Sequence, residues 1–253
     1  MTVRDIVFDL DGTLIDSAPS ILASMQAAFD AAGIAPGAPL TPALIGPPLA
    51  QTLRSLLPDA QAHALPELVE GFKRHYDDAG YRASHVYPGV PEMLAALGRM
   101  PLRLHIATNK RIAPTRRIVE HLGWGGFFTG VYALDFYTPA LAHKTAMLQR
   151  LRASLADPAP IYVGDRAEDA EAAQASGMPF LWAPWGYGGD SVEVPADRVL
   201  RSPSIWRNVA WRRCNEPPAP RPTPAALLHR GPGVPPHVGG HPRHAPALPP
   251  AQP

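Results

Sequence analysis

Apolar and polar positions divide the chain into two kinds of segment. Ile6, Val7 and Phe8 form a short apolar run that stops at Asp9, as a buried parallel strand does. Residues 19–32 then place Ile21, Leu22, Met25, Ala28 and Phe29 at helical spacing, with Pro19 suited to a first helical position and Gly33 to the end. Residues 34–48 carry Pro36, Pro39, Pro42, Pro47 and Pro48, which predicts a loop with at most a short turn. Leu49, Leu53, Leu56 and Leu57 predict a helix over 49–57, and Leu68, Val69, Phe72 and Tyr76 predict another over 66–79. The stretch 19–80 is thus helical without a strand candidate, and Gly80 and the Tyr87-Pro88-Gly89 turn close it.

After residue 90 the period changes. Helices are predicted over 91–100, 114–122, 143–155 and 167–176, and strands over 102–107, 128–134, 161–163 and 180–183. Strands alternating with helices of this length imply a parallel sheet with right-handed crossovers. The first strand precedes the helical block, so the block is an insertion. We expect an α/β core from residues 1–16 and 88–212 and a helical cap from 17–87. No internal repeat is visible.

Composition narrows the class. Among 253 residues, 23 Lys and Arg against 22 Asp and Glu leave a net charge of +1, too little to draw in nucleic acid or an anionic membrane. The single cysteine, Cys214, excludes a disulfide within the chain and a four-thiolate zinc site, and fits a reducing compartment. A charged strand starts within five residues, so no signal peptide is visible. No apolar run approaches the roughly 18 residues of a membrane span. The expectation is a soluble, cytoplasmic protein without nucleic-acid or membrane partners. Of 32 prolines, 13 fall between Pro217 and Pro253, so residues 213–253 read as a disordered tail beyond a fold ending near Trp211. His229, His237, His241 and His244 belong to that tail and read as solvated rather than metal-binding.

Four polar clusters stand beside predicted strand or helix ends: Asp9 with Asp11, Thr108 with Asn109, Lys144, and Asp165 with Asp169. Each has a plain explanation alone. Asp-Gly is a turn pair, Thr-Asn and Asp165 suit helix caps, and one lysine on a helix is usually solvated. Together they suggest one crevice, because strand C-termini of an open parallel sheet converge. Carboxylates of this number suit Mg²⁺, which prefers oxygen ligands. One carboxylate can attack phosphorus, a second can move the proton, and a lysine and hydroxyl can hold the phosphoryl oxygens.

The clusters resemble the four motifs of the haloacid dehalogenase-like superfamily, and within it the phosphoglycolate-phosphatase-like branch. Asp9-Leu10-Asp11-Gly12-Thr13-Leu14-Ile15-Asp16-Ser17 is similar to its first motif, Thr108 to the second, Lys144 to the third, and Gly164-Asp165-Arg166-Ala167-Glu168-Asp169 to the fourth. The resemblance runs from Val3 to about Leu200 and implies a Rossmann-like parallel sheet with an inserted all-helical cap. It implies Asp9 as nucleophile and metal ligand, and Asp11 as acid/base with its backbone carbonyl on the metal. Gly12, Thr108, Asn109 and Lys144 would bind the phosphoryl group. Asp165 would be a Mg²⁺ ligand, and Asp169 a ligand or a group behind the ligands. Where the family often has Lys-Pro, this chain has His143-Lys144-Thr145. Gly46-Pro47-Pro48-Leu49 resembles the cap's substrate-facing loop, Arg74 is a candidate cap contact, and Trp185-Gly186-Tyr187-Gly188 resembles a late loop near the site. The activity implied is Mg²⁺-dependent hydrolysis of a small phosphorylated metabolite, phosphoglycolate-like, through an aspartyl-phosphate. A phosphomutase, a 5′-nucleotidase or pyrophosphatase, and a non-catalytic binding protein are the alternatives. Dehalogenases of the superfamily lack the second aspartate, here Asp11.

Overall fold

The structure, a computed structural model, describes residues 4–189 and 192–203. The predicted Pro-rich tail and the end of the fold near Trp211 lie outside the described residues. A five-stranded parallel sheet forms the core: β1 (Arg4–Phe8), β4 (Leu102–Thr108), β5 (Phe128–Ala133), β6 (Ile161–Gly164) and β7 (Phe180–Trp182). Their spatial order is β5-β4-β1-β6-β7. β1 is therefore central, and the chain winds outward from it in both directions, which opens a crevice at the strand C-termini beside it. Phe8 pairs with Ile106 on one side and Val163 on the other, so Asp9 emerges level with both neighbours' ends.

Helices cover both faces of the sheet. α4 (Val90–Leu97), α5 (Ile112–His121), α6 (Lys144–Ser154) and α7 (Ala167–Ala175) alternate with the strands. α4 ends sooner than its apolar spacing predicts, because Pro101 biases Met100 away from helical geometry and the chain leaves through tight turns at Arg99 and Met100. α5 starts two residues before Pro114, which sits in a first turn where its missing N–H costs nothing.

The insertion is helical, as the pattern predicts. α1 (Ala18–Ala32), α2 (Leu49–Leu56) and α3 (Leu65–Asp78) are joined by short 3₁₀ turns at Pro42–Leu44 and Asp59–Ala64. Two-residue strands β2 (Ile15–Asp16) and β3 (His85–Val86) pair antiparallel where the insertion starts and ends. Pairs this short carry no periodicity and are silent in the sequence. Buried Ile21, Met25, Phe29, Leu53, Leu68 and Phe72 of the insertion share one apolar cluster with Phe8, Leu94 and Ile106 of the core. The helical block is thus seated on the sheet's C-terminal edge, above the strand ends. No described helix is long and apolar enough to cross a membrane.

Candidate active site

Three adjacent strands each deliver a polar residue at the same edge. Asp9 follows β1, Thr108 ends β4 and Asp165 follows β6, and all three are buried. The Asp9 N–H continues the sheet by donating to the Val163 carbonyl at 2.8 Å. Asp169 lies in the first turn of α7, and its Oδ2 accepts the backbone N–H groups of Asp165 and Arg166, each at 3.1 Å. A carboxylate on orphan N–H groups at a helix start is favourable, and here it fixes where Asp165 stands. Lys144 opens α6 and reaches the same place, donating to Asp9 Oδ2 at 2.9 Å and Asp169 Oδ1 at 2.6 Å.

The electrostatics are those of a dry, acid-rich pocket. Burial pushes the Asp9 carboxyl up to about 6, against the pull of Lys144. Burial, then the charges of Asp169 and Asp9, push Asp165 up to about 8. Burial works against the Lys144 charge, but Asp169 and Asp9 more than offset it and hold the ammonium well above the ordinary lysine range. One cation against three acids leaves excess negative charge. One carboxylate oxygen from each of Asp9, Asp165 and Asp169 can be chosen so that all three lie within 4.8 Å of one another. Asp9 Oδ1 is buried with no hydrogen-bond partner. An all-oxygen donor set with an unpartnered carboxylate oxygen fits a hard divalent cation, which would supply the missing positive charge. The fit is best for Asp9, whose Oδ1 is free; the Asp165 oxygens accept from Thr13 and Tyr187, and those of Asp169 serve Lys144 and the turn at 165–166.

The Asp11 side chain has partners of its own. Its Oδ1 accepts the Ser17 hydroxyl at 2.5 Å and lies 3.0 Å from the Lys110 ammonium. Lys110, whose side chain is buried, is a site residue that sequence reasoning passed over, although it directly follows Thr108-Asn109. It also donates to the Tyr76 hydroxyl at 2.9 Å and stands 4.6 Å from that ring's centre. Burial disfavours its charge, and Asp11 and Tyr76 outweigh that and raise its pKa. A helix-period reading assigns Tyr76 to the core alone; nothing in its spacing signals the contact with Lys110.

Between cap and core lies a cavity of about 60 Å³. Asp9, Asp11, Thr108 and Lys110 form its floor, and Ile21, Met25, Leu44, Leu49, Phe72 and Tyr76 its apolar walls. Gly46, Pro47 and Leu49 of the predicted loop line it. Arg74 does not line it and is exposed. Asn109 spends its amide Nδ2 on the Gly46 carbonyl at 2.8 Å, so in this structure it anchors the cap loop rather than presenting that group as a phosphate donor. Arg166, also unassigned from sequence, donates to the Ile45 and Ala43 carbonyls of the same loop. Gly46 has φ +133°, and a Cβ there would lie 2.6 Å from Arg166 Cδ. Thr13 donates to Asp165 Oδ1 at 3.3 Å. A Cβ on Gly12 would lie 2.4 Å from Asp165 Oδ2.

With this geometry established, known proteins can be compared. The sequence profile of the haloacid dehalogenase-like hydrolases matches residues 6–183. The tyrosine-protein kinase PtkA of Mycobacterium tuberculosis is 31% identical over 203 residues, covering 77% of this chain and 67% of that protein. The phosphoglycolate phosphatase of Xanthomonas campestris pv. campestris is 32% identical over 217 residues, covering 82% of this chain and 97% of that enzyme. In structure, a hydrolase of the haloacid dehalogenase-like family from Streptococcus pneumoniae superposes with a TM-score of 0.70 at 25% identity, covering 83% of this chain and 98% of that one.

Proposed function

Because the chain belongs to the haloacid dehalogenase-like hydrolases, we propose that it is a Mg²⁺-dependent phosphatase acting on a small, phosphoglycolate-like phosphomonoester. The observation that carries this reading is the buried pairing of Asp9, a residue of the cavity lining, with Lys144 beside Asp165, with Asp9 Oδ1 left unpartnered. In the proposed reaction an Asp9 oxygen bonds to phosphorus as the ester P–O bond breaks. The Asp11 carboxyl gives its proton to the departing oxygen, which leaves as the alcohol. Water then attacks phosphorus, the bond to Asp9 breaks, and the water's proton returns to Asp11. Lys144 and Thr108 hold phosphoryl oxygens, where charge concentrates. Asp9, Asp165 and the Asp11 backbone carbonyl would hold Mg²⁺, which when bound neutralises charge between the acids and the anionic substrate.

The small cavity supports a compact leaving group, since each water-sized centre takes roughly 10–15 Å³. Its apolar walls exclude competing water. The Lys110 ammonium suits a leaving group with a carboxylate of its own. The kinship with PtkA favours a second reading, in which the phosphoryl group passes to a tyrosine rather than to water. A panel of phosphorylated metabolites assayed with and without Mg²⁺ separates these readings. We expect free phosphate, released only with Mg²⁺ and fastest from small carboxylate-bearing esters. Isomerised sugar phosphate, or phosphotyrosine formed from ATP without ester hydrolysis, would overturn the hydrolase assignment.

A further inference from the structure

The late loop 183–188 is pressed against the first motif. A Cβ on Gly186 would lie 2.3 Å from the Gly12 carbonyl oxygen and 2.4 Å from Asp165 Cβ. One on Gly188 would lie 2.0 Å from the Asp165 carbonyl oxygen. Trp185 Nε1 donates to the Thr13 carbonyl at 3.0 Å. Tyr187 stands between these contacts and joins two places far apart in sequence. Its backbone N–H donates to Asp165 Oδ2 at 2.7 Å. Its hydroxyl donates to Asp16 Oδ1 at 2.8 Å and accepts the N–H groups of Ser17 at 2.7 Å and Ala18 at 3.0 Å. The same hydroxyl also meets the Tyr87 phenol.

The helix it serves lacks its ordinary cap. Ser17 is the residue before α1, and a serine there normally accepts a backbone N–H of the first turn. Here Ser17 makes no side-chain cap bond; its hydroxyl goes to Asp11. The first N–H groups of a helix have no intrahelical partner; those of Ser17 and Ala18 are met by Tyr187, and that of Ala18 is shared with Asp16 Oδ1 at 3.1 Å. Asp16 and Ser17 are also where the chain leaves the core for the cap, next to the β2–β3 pair.

We propose that Tyr187 is a positioning residue that binds the first amides of α1, holding the cap's hinge in register with Asp165 while the Ser17 hydroxyl orients Asp11. Its catalytic consequence rests on the phosphatase reading; its structural part does not. In that reaction Asp11 protonates the ester oxygen as the bond to phosphorus breaks. An alkoxide needs that proton to leave, whereas p-nitrophenolate leaves without it.

Two measurements test the proposal. The first is amide hydrogen exchange on metal-free, substrate-free protein. Ser17 and Ala18 amides, which no helical bond covers, are expected to exchange as slowly as second-turn amides; in Tyr187→Phe the Ser17 amide is expected to exchange roughly five- to tenfold faster, the loss of one hydrogen bond, and the Ala18 amide, which keeps Asp16, less so. Fast exchange of these amides in the wild type, or rates unmoved by the variant, would overturn the proposal, and the wild-type reading decides even should the variant not fold. The second is kcat/KM of Tyr187→Phe with an alkyl and an aryl phosphate. The alkyl ester is expected to lose about tenfold to a hundredfold, the aryl ester little, and the Mg²⁺ dependence to stay put because the N–H to Asp165 remains. An equal fall for both esters would mean general damage and contradict the proposal. Absence of phosphate release from the wild type would sink the phosphatase reading while leaving the exchange result to stand.

Discussion

Lys144 holds the acids together. It pairs with Asp9 and Asp169 where water barely reaches, and removing one partner of a buried pair leaves an uncompensated charge. Lys144→Ala is therefore expected to cost about 3–5 kcal/mol in urea unfolding of the metal-free protein, and to abolish turnover. Stability unchanged by that substitution would mean the ammonium is not paired as described. The acids make a separate prediction about pH. Asp9 and Asp165 titrate near 6 and near 8 in the fold, above the ordinary aspartate value of 3.8. The folded state thus binds protons that the unfolded state releases at these two groups, so their contribution to metal-free stability falls as pH rises from about 4 to 8. A divalent cation must displace those protons. Thermal unfolding from pH 5 to 8 should show the gain from saturating Mg²⁺ growing with pH. A gain that shrinks with pH would contradict the shared-carboxylate site.

At the scale of elements, the cap is held to the core by loop contacts rather than by its helices alone. Arg166 and Asn109 both bond to carbonyls of residues 43–46, and Arg111 pairs with Asp77 of α3. Gly46→Ala introduces a Cβ at a φ that L residues rarely adopt, against Arg166. It is expected to raise KM by about tenfold or more, because the loop walls the cavity and a small misplacement is costly there, with kcat less affected. An unchanged KM would remove the loop from substrate binding. The helices and strands themselves were legible, since Ile6 to Phe8 and the Leu53, Leu68, Phe72 series have clear periods. Their ends were less so: α4 stops where Pro101 and tight turns intervene, and the two-residue β2–β3 pair leaves no pattern to read.

Across the whole molecule, the parallel order β4-β1-β6 gathers residues more than 150 apart in sequence. Strand-end position was enough to anticipate that Asp9, Thr108 and Asp165 stand along one edge; Lys144, at a helix start, reaches Asp9 there. Lys110 and Arg166 were given no role and Tyr187 was read only as part of a late loop near the site, because their roles depend on what the cap and that loop bring near them, which no spacing encodes. Asp9 is the one residue that the sheet, α6 and the cavity all converge on, so the account stands or falls with it. The direct measurement is phosphate release from p-nitrophenyl phosphate with Mg²⁺ by wild type and Asp9→Asn, with circular dichroism to establish that the variant folds. The account predicts that the folded variant releases none above background. Release by Asp9→Asn at the wild-type rate would contradict it.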